Sequence, residues 1–384
     1  MTALQVNLPR LLFVVSEDWY FISHRLPMAR AARDACCEVH VATRVEDDAA
    51  AIEAEGFVLH PIPFARGRLS PPTSLATIRA LRGIYDRVQP AILHHVSLQT
   101  TVLGLIAAFD RRVPTVCALT GLGYLFTSRS PKARLTKSAA RPALRLLLNR
   151  SRIINLIQNS DDRAALIALG INPSRIALIR GSGVDVNRLV PLPEPLGPVT
   201  IAFVGRLLED KGIRTLVAAH RLLRANGSDM QLLIAGTTDP ANPASVTEKE
   251  AAAWNKEPGI TLLGHVKDIS GLWQRAHLAV LPSRREGLPL SLLEAAACQR
   301  AMIASDVPGC REIVIHEKTG LLFPVDDAPA LAKAIAKLAA APDLRRRYAA
   351  AARTLAVENF SADVIGRNIV DLYRKMLSDC VDLP

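Results

Sequence analysis

Aromatic residues make up only 4% of this 384-residue chain, and no stretch interleaves them with basic residues. Proteins that grip single-stranded nucleic acid stack bases on aromatic rings in a basic groove, so nucleic acid is not an expected partner. Long apolar runs are lacking as well. None approaches the roughly 18 residues that a membrane-spanning helix needs. The N-terminal run LLFVV is too short for a secretory signal and is followed at once by Glu17 and Asp18. The six cysteines (Cys36, Cys37, Cys117, Cys298, Cys310 and Cys380) include no CxxC pair. Cys117 and Cys298 lie in apolar sequence and read as small core residues of a reducing compartment. Asp-x-Asp is absent, and the His and Cys spacings fit no zinc pattern. A cytoplasmic protein that needs neither metal nor cofactor is the expectation.

Acidic residues are also in deficit: 36 Asp and Glu stand against 47 Lys and Arg, a net charge of +11. Such an excess suits an anionic partner, either a phosphorylated ligand or an acidic membrane surface. Hydrophobic residues at 49% supply ample core. The length allows two domains at roughly 150 residues each.

Short apolar strands alternate with helical patterns through the first half. RLLFVVS, CEVHVATR, FVLHPIP, AILHHVS, TVCALTG, INLIQNS and IALIRGSGVD read as strands. The stretch 191–198, PLPEPLGP, holds four prolines and reads as a linker. A second alternation follows: VTIAFVGRL, QLLIAGT, ITLLGHV, HLAVLPS, AMIAS and GLLFPV. The expected fold is α/β, with two Rossmann-like, doubly wound parallel-sheet domains facing a central cleft. The domains would span 1–190 and 199–360, and the last helix, 361–384, would pack back on the first.

HLAVLPSRREGLPLSLLEAAA is the stretch around which the second half is organised. A buried strand gives way to a loop bearing Glu286, and a helix that starts near Pro289 carries Glu294. Helical side chains lean toward the N-terminus, so both carboxylates reach one crevice. The helix start between them suits a phosphate. Carboxylates for sugar hydroxyls around an anion site describe a sugar nucleotide. In VGRLLEDKG a strand ends at Gly205, and Arg206 and Lys211 follow at the sheet edge. A planar guanidinium fork and a compact ammonium together match a diphosphate.

GRLLEDKG, EGLPLSLLEAAA, DVPGCREIV, GSGVDVNRL and GLLFP together resemble glycosyltransferase family 4, the retaining enzymes of GT-B fold. SEDWYFISHRLP, HHVSLQT, ALTGLGYLFTS and DPANPAS are similar to the branch that builds bacterial surface polysaccharides and lipid-linked oligosaccharides. The resemblance implies a nucleotide-sugar donor, with UDP-linked N-acetylhexosamines or galactose foremost, and a polyprenyl-diphosphate-linked or saccharide acceptor. It implies that Arg206 and Lys211 hold the diphosphate and stabilise the leaving group, and that Glu294 takes the ribose hydroxyls. Glu286, with the backbone of Gly287 and Leu288, would address the transferred sugar and the distal phosphate, and Gly205 would be a further donor-binding position. Glu286 then positions the sugar, and the donor phosphate assists in deprotonating the acceptor.

The resemblance departs at one point. Many family members carry a His near the reacting sugar where Thr120 stands here, followed by Gly121. His24, His94 and His95 are candidate groups on the sugar and acceptor side, with Arg66 and Arg68 as grips for an acceptor phosphate. GLGYLF lacks the third glycine of a dinucleotide fingerprint. The segment 127–152 holds eight Lys or Arg and no acid. Arg134, Lys137, Arg141 and Arg145 share a helical face, with Leu144, Leu147 and Leu148 apolar. A basic amphipathic helix implies peripheral attachment to the inner face of an anionic membrane. Two other readings stand beside this one: a GT-B sugar-nucleotide epimerase, and a non-enzymatic basic binder of membranes or polyanions.

Overall fold

The computed structural model describes residues 9–64, 70–119, 141–240 and 242–381. It divides into two compact units, 1–183 with 362–384, and 184–361. The first unit holds a seven-stranded sheet of order β3-β2-β1-β4-β5-β6-β7. Its strands are β1 (Arg10–Glu17), β2 (Glu38–Arg44), β3 (Val58–Pro61), β4 (Ile92–Val96), β5 (Thr115–Ala118), β6 (Ile153–Ile157) and β7 (Ile176–Leu178). All neighbours pair in parallel. Strands flanked by helices on both faces are buried on both sides, which explains their unbroken apolar composition.

The helix Ala362–Val381 belongs to this first unit. Ile365, Ile369, Tyr373 and Met376 enter its core beside Phe13, Phe21 and Met28. Tyr373 also caps a buried strand residue, its hydroxyl lying 2.5 Å from His94 Nδ1.

The second unit carries a six-stranded parallel sheet of order β10-β9-β8-β11-β12-β13. Its strands are β8 (Thr200–Val204), β9 (Gln231–Ala235), β10 (Ile260–Gly264), β11 (Leu278–Leu281), β12 (Ala301–Ser305) and β13 (Gly320–Phe323). Strand order reverses between β8 and β11, which pair through Ile201 with Leu278 and Ala202 with Ala279. Loops leaving a sheet at such a reversal run in opposite directions, and a crevice opens at the carboxyl ends of the two strands.

The proline-rich stretch is not the boundary that its composition predicts. The units part between Gly183 and Val184, and the stretch lies along the second unit. Leu192 donates its N–H to Cys298 O, and the Arg300 guanidinium donates to Pro193 O at 2.8 Å. Glu194 makes a two-pronged pair with Arg345 at 2.6 and 2.9 Å. Prolines hold the segment extended, which leaves the Pro193 carbonyl open to Arg300 and the Glu194 carboxylate open to Arg345.

Removing one partner of an enclosed ion pair leaves the other charge uncompensated. Arg345→Met is therefore expected to destabilise the second unit by about 3 kcal/mol, read as a lower midpoint in urea for the transition of that unit. An unchanged midpoint would show that the stretch contributes nothing to the fold.

Candidate active site

The loops that leave β8 and β11 carry the donor-side residues singled out in the sequence, and two of them, Lys211 and Glu286, meet there. Strand β8 ends at Val204, and Gly205 continues the edge by donating to Ala235 O at 3.0 Å. Arg206 emerges next with its side chain 44% exposed, and its Nη1 donates to Asp239 Oδ2 at 3.1 Å. The chain then makes a short turn, Glu209–Lys211, closed by Gly212. Lys211 Nζ lies 2.6 Å from Glu286 Oε1, so two residues from different loops meet directly.

Gly212 makes that meeting possible. Its φ is 66°, and a Cβ there would lie 1.9 Å from the carbonyl oxygen of Pro282. The loop after β8 rests on the end of β11 with no room for a side chain between them. Arg284 and Arg285 tie the loops from the other side. Arg284 donates to Glu209 at 2.8 Å and Arg285 to Asp210 at 3.0 Å, while the Arg284 N–H reaches Asp210 O at 2.8 Å. Exposed pairs of this kind contribute little energy each, but they fix register between the loops. Gly309 plays the same part on the far side: a Cβ there would fall 2.4 Å from Gly287 O and 2.8 Å from Glu286 O. The start of the short helix Pro308–Arg311 thus presses on the Glu286–Gly287 peptide.

Glu286 Oε1 accepts from both Lys211 and the Ser283 hydroxyl, each at 2.6 Å. An ammonium has three donors and a carboxylate two oxygens. Lys211 therefore retains N–H donors for an anion, and Glu286 retains Oε2 for hydroxyl donors. Cys310 lies beside this pair, and burial, reinforced by Glu286, pushes its thiol well above the ordinary range. It is an inert packing group, not a nucleophile. Leu288 packs partly into the core, while Pro289 caps the helix Leu290–Ala297 in extended conformation.

Glu294 stands in that helix, half-buried; its backbone carbonyl accepts from the Cys298 N–H at 2.9 Å, and its carboxylate accepts no hydrogen bond from the described residues. Enclosure of its carboxyl pushes the pKa up to about 7, opposed by Arg188. Arg188 belongs to the turn GVDVNRL, where Asp185 Oδ1 accepts from the N–H groups of Asn187 and Arg188. Arg353 clamps that turn to the glutamate helix. Its Nη1 donates to Leu189 O and Ala297 O, both at 2.6 Å, and its Nη2 to Val186 O at 2.9 Å. Among the described residues no group of three His, Cys, Asp or Glu could hold a metal ion.

Residues 198–341 match the family described as "Glycosyl transferases group 1", and residues 10–160 match "Glycosyl transferase 4-like". The chain belongs to glycosyltransferase family 4. Its similarity to the N,N'-diacetylbacillosaminyl-diphospho-undecaprenol alpha-1,3-N-acetylgalactosaminyltransferase of Campylobacter jejuni is 23% identity over 94% of this chain and 99% of the relative. Among solved structures, the sucrose-phosphate synthase of Thermosynechococcus elongatus superposes with a TM-score of 0.81 at 20% identity, covering 97% and 100% of the two chains. HepE of Anabaena, solved with UDP and glucose, gives 0.76 at 18% identity over 95% and 99%. The fold of this glycosyltransferase is accordingly GT-B.

The first unit treats its candidates differently. His95 is fully buried, bonded through Nε2 to the Tyr85 hydroxyl at 3.1 Å, and burial pulls its pKa down to about 3. His94 is fully buried too, stacked on Phe13 and bonded to Tyr373, with burial holding it well below the usual range. Both rings are core groups, which corrects their assignment to the acceptor side. His24 is half-buried, stacked flat on Tyr20 at 4.3 Å, with Nδ1 2.6 Å from the Ser23 hydroxyl. Thr120, Gly121, Arg66, Arg68, Arg134 and Lys137 lie outside the described residues. Arg141 and Arg145 are exposed, and Arg141 donates to Ala168 O. The expected apolar face of that segment turns inward: Leu148 is buried and Leu144 and Leu147 pack on the core. Leu146 faces solvent at 77% exposure.

Sequence reading missed Ser283, Asp239, Arg188, and the reasons for Gly212 and Gly309. The glycines were visible in EDKG and DVPG, but what they abut is 70 or more residues away for Gly212 and about 20 away for Gly309. Gly212→Ala should force the loops apart and carry Lys211 off Glu286. A misplacement on the order of 1 Å costs up to about 10²-fold in rate, so sugar transfer should fall by that order. Wild-type turnover in this variant would show that the contact does not set the site.

Proposed function

We propose that this glycosyltransferase moves a hexosyl or N-acetylhexosaminyl group from a UDP-sugar to a polyprenyl-diphosphate-linked or saccharide acceptor, with retention at the anomeric carbon and without a metal ion. The observation that carries the reading is the joining of Lys211 and Glu286 at the reversal of the second sheet. Arg206 stands beside them on the β8 loop, and Glu294 lies a helix turn beyond the EGLP loop. The relatives support the donor and acceptor classes. HepE was solved with UDP and glucose, and the Campylobacter relative is named for a diphospho-undecaprenol acceptor.

The chemistry follows from where charge develops. The bond from the anomeric carbon to the diphosphate oxygen breaks, and its electron pair leaves with the nucleoside diphosphate. Arg206 and Lys211 stabilise that negative charge more in the transition state than before it. The acceptor hydroxyl attacks from the face the diphosphate leaves, and its proton passes to a phosphate oxygen. Glu286 accepts hydrogen bonds from the sugar hydroxyls through Oε2 and keeps Lys211 in place through Oε1. Glu294 accepts from the ribose. The two cations supply the neutralisation that a divalent ion provides in other transferases.

The protein also works, on this reading, at the inner face of a membrane. No helix among the described residues is long and apolar enough to cross one. Net charge of +11 and the exposed Arg141, Arg145 and Leu146 support surface attachment.

The test is transfer of labelled sugar from UDP-sugars into organic-extractable lipid of bacterial membranes in excess chelator. Label should enter the lipid, and Lys211→Ala should slow it by about 10²-fold. Label recovered only as an altered free sugar nucleotide would identify an epimerase instead. Binding of lipid or polyanion with no conversion of any sugar nucleotide would point to a non-enzymatic basic protein.

A further inference from the structure

The motif DPANPAS follows β9, and the function proposed above gives its residues no role of their own. Its described residues and the two residues Thr237 and Val246 that flank it brace the loop after β8. Leu207 donates to Thr237 O at 3.0 Å, Val246 to Leu207 O at 2.8 Å, and Glu209 to Ala244 O at 2.8 Å. Leu208 and Ser245 form an isolated antiparallel bridge. Within the motif, Asn242 Oδ1 accepts from the Ala244 N–H at 3.0 Å, and Ser245 Oγ accepts from the Asp239 N–H at 2.8 Å. Asp239 is thus fixed from below by its own backbone. Its carboxylate, only 13% exposed, receives Arg206 Nη1 at 3.1 Å.

We propose that Asp239 is a positioning residue that aims Arg206 at the donor diphosphate, and that DPANPAS exists to hold Asp239 for this task. The proposal rests on the reading that Arg206 contacts the diphosphate. An arginine side chain has many rotamers, and fixing one on ligand binding costs entropy. A guanidinium has five N–H donors in a planar fork. Asp239 engages one corner and leaves donors free along the carboxyl edge of the sheet, so the ordering is complete before the ligand arrives. A carboxylate near a diphosphate also repels it. Positioning and repulsion predict opposite signs on removing the charge, which makes the proposal decidable.

The experiment is a double-mutant cycle on the full chain. It compares wild type, Arg206→Ala, Asp239→Asn and the double variant, and reads the Kd of whichever of UDP, GDP and ADP the wild type binds. Asp239→Asn should raise Kd about fivefold in the wild-type background and less than twofold when Arg206 is absent. Ser245→Ala leaves the carboxylate intact but releases its backbone, and should show a weaker loss with the same dependence on Arg206. It also provides the reading should Asp239→Asn not fold. Asp239→Glu should recover part of the affinity. Equal losses in both backgrounds would overturn the proposal, because Asp239 would then act without Arg206. Tighter binding by Asp239→Asn would overturn it in favour of simple repulsion. An unchanged Kd in Arg206→Ala alone would remove the donor role of Arg206, and the proposal with it.

Discussion

The second unit depends on a contact with no side chain in it. Gly212 lies against the Pro282 carbonyl, and this approach brings the end of the β8 loop onto the end of β11. Parallel strands at a sheet reversal place two loops at one edge, but they do not dictate that the loops touch. Removing the Cβ at this position allows Lys211 to reach Glu286 at 2.6 Å. Gly309 closes the same site from the β12 side by resting on the Glu286–Gly287 peptide. A cation and a carboxylate are thereby held where neither could be set by local sequence alone.

Two electrostatic environments follow from that architecture. Around Glu286 the charge is already balanced by Lys211, with the Ser283 hydroxyl as a second donor, and a ligand meets an arranged ion pair. Glu294 has no bonded side-chain partner among the described residues, and partial burial raises its carboxyl pKa to about 7 against the opposing charge of Arg188. Arg353 holds these two together by tying the Arg188 turn to the glutamate helix through three carbonyls. A carboxylate paired with a lysine and one without a bonded side-chain partner present different surfaces to a ligand. Their separation by eight positions in sequence gives each its own surroundings.

Much of this was legible in the sequence where the physics is local. Apolar strands, the loop bearing Glu286 and the helix bearing Glu294 follow from periodicity and from Pro289, and both parallel sheets follow from their alternation. What depends on distant partners was not legible. PLPEPLGP has the composition of a linker, yet Arg345 and Arg300 bind it to the second unit. His95 has the chemistry of a catalytic group, and only its enclosure with Tyr85 shows it to be core. Leu144, Leu147 and Leu148 look like a membrane-facing stripe until the core beneath them is seen. The pairing of Arg206 with Asp239 joins residues 33 positions apart, in the loops that follow neighbouring strands, and a single sequence carries no sign of it.

On the proposed function, the crevice at β8 and β11 binds a sugar nucleotide, with Glu294 ionised against the ribose. Calorimetric titration of a UDP-sugar between pH 6 and pH 8 tests it most directly, because a diphosphate diester does not titrate in that range. The carboxylate, not the acid, is the stronger acceptor of ribose hydroxyls, and it predominates above a pKa of about 7. Affinity should therefore strengthen as the pH rises through 7. Glu294→Gln should bind about tenfold more weakly at pH 8, a loss of roughly 1.4 kcal/mol, and should show no such pH dependence. Equal affinity and equal pH dependence in the two proteins would contradict the account, and Glu294 would then be part of the scaffold.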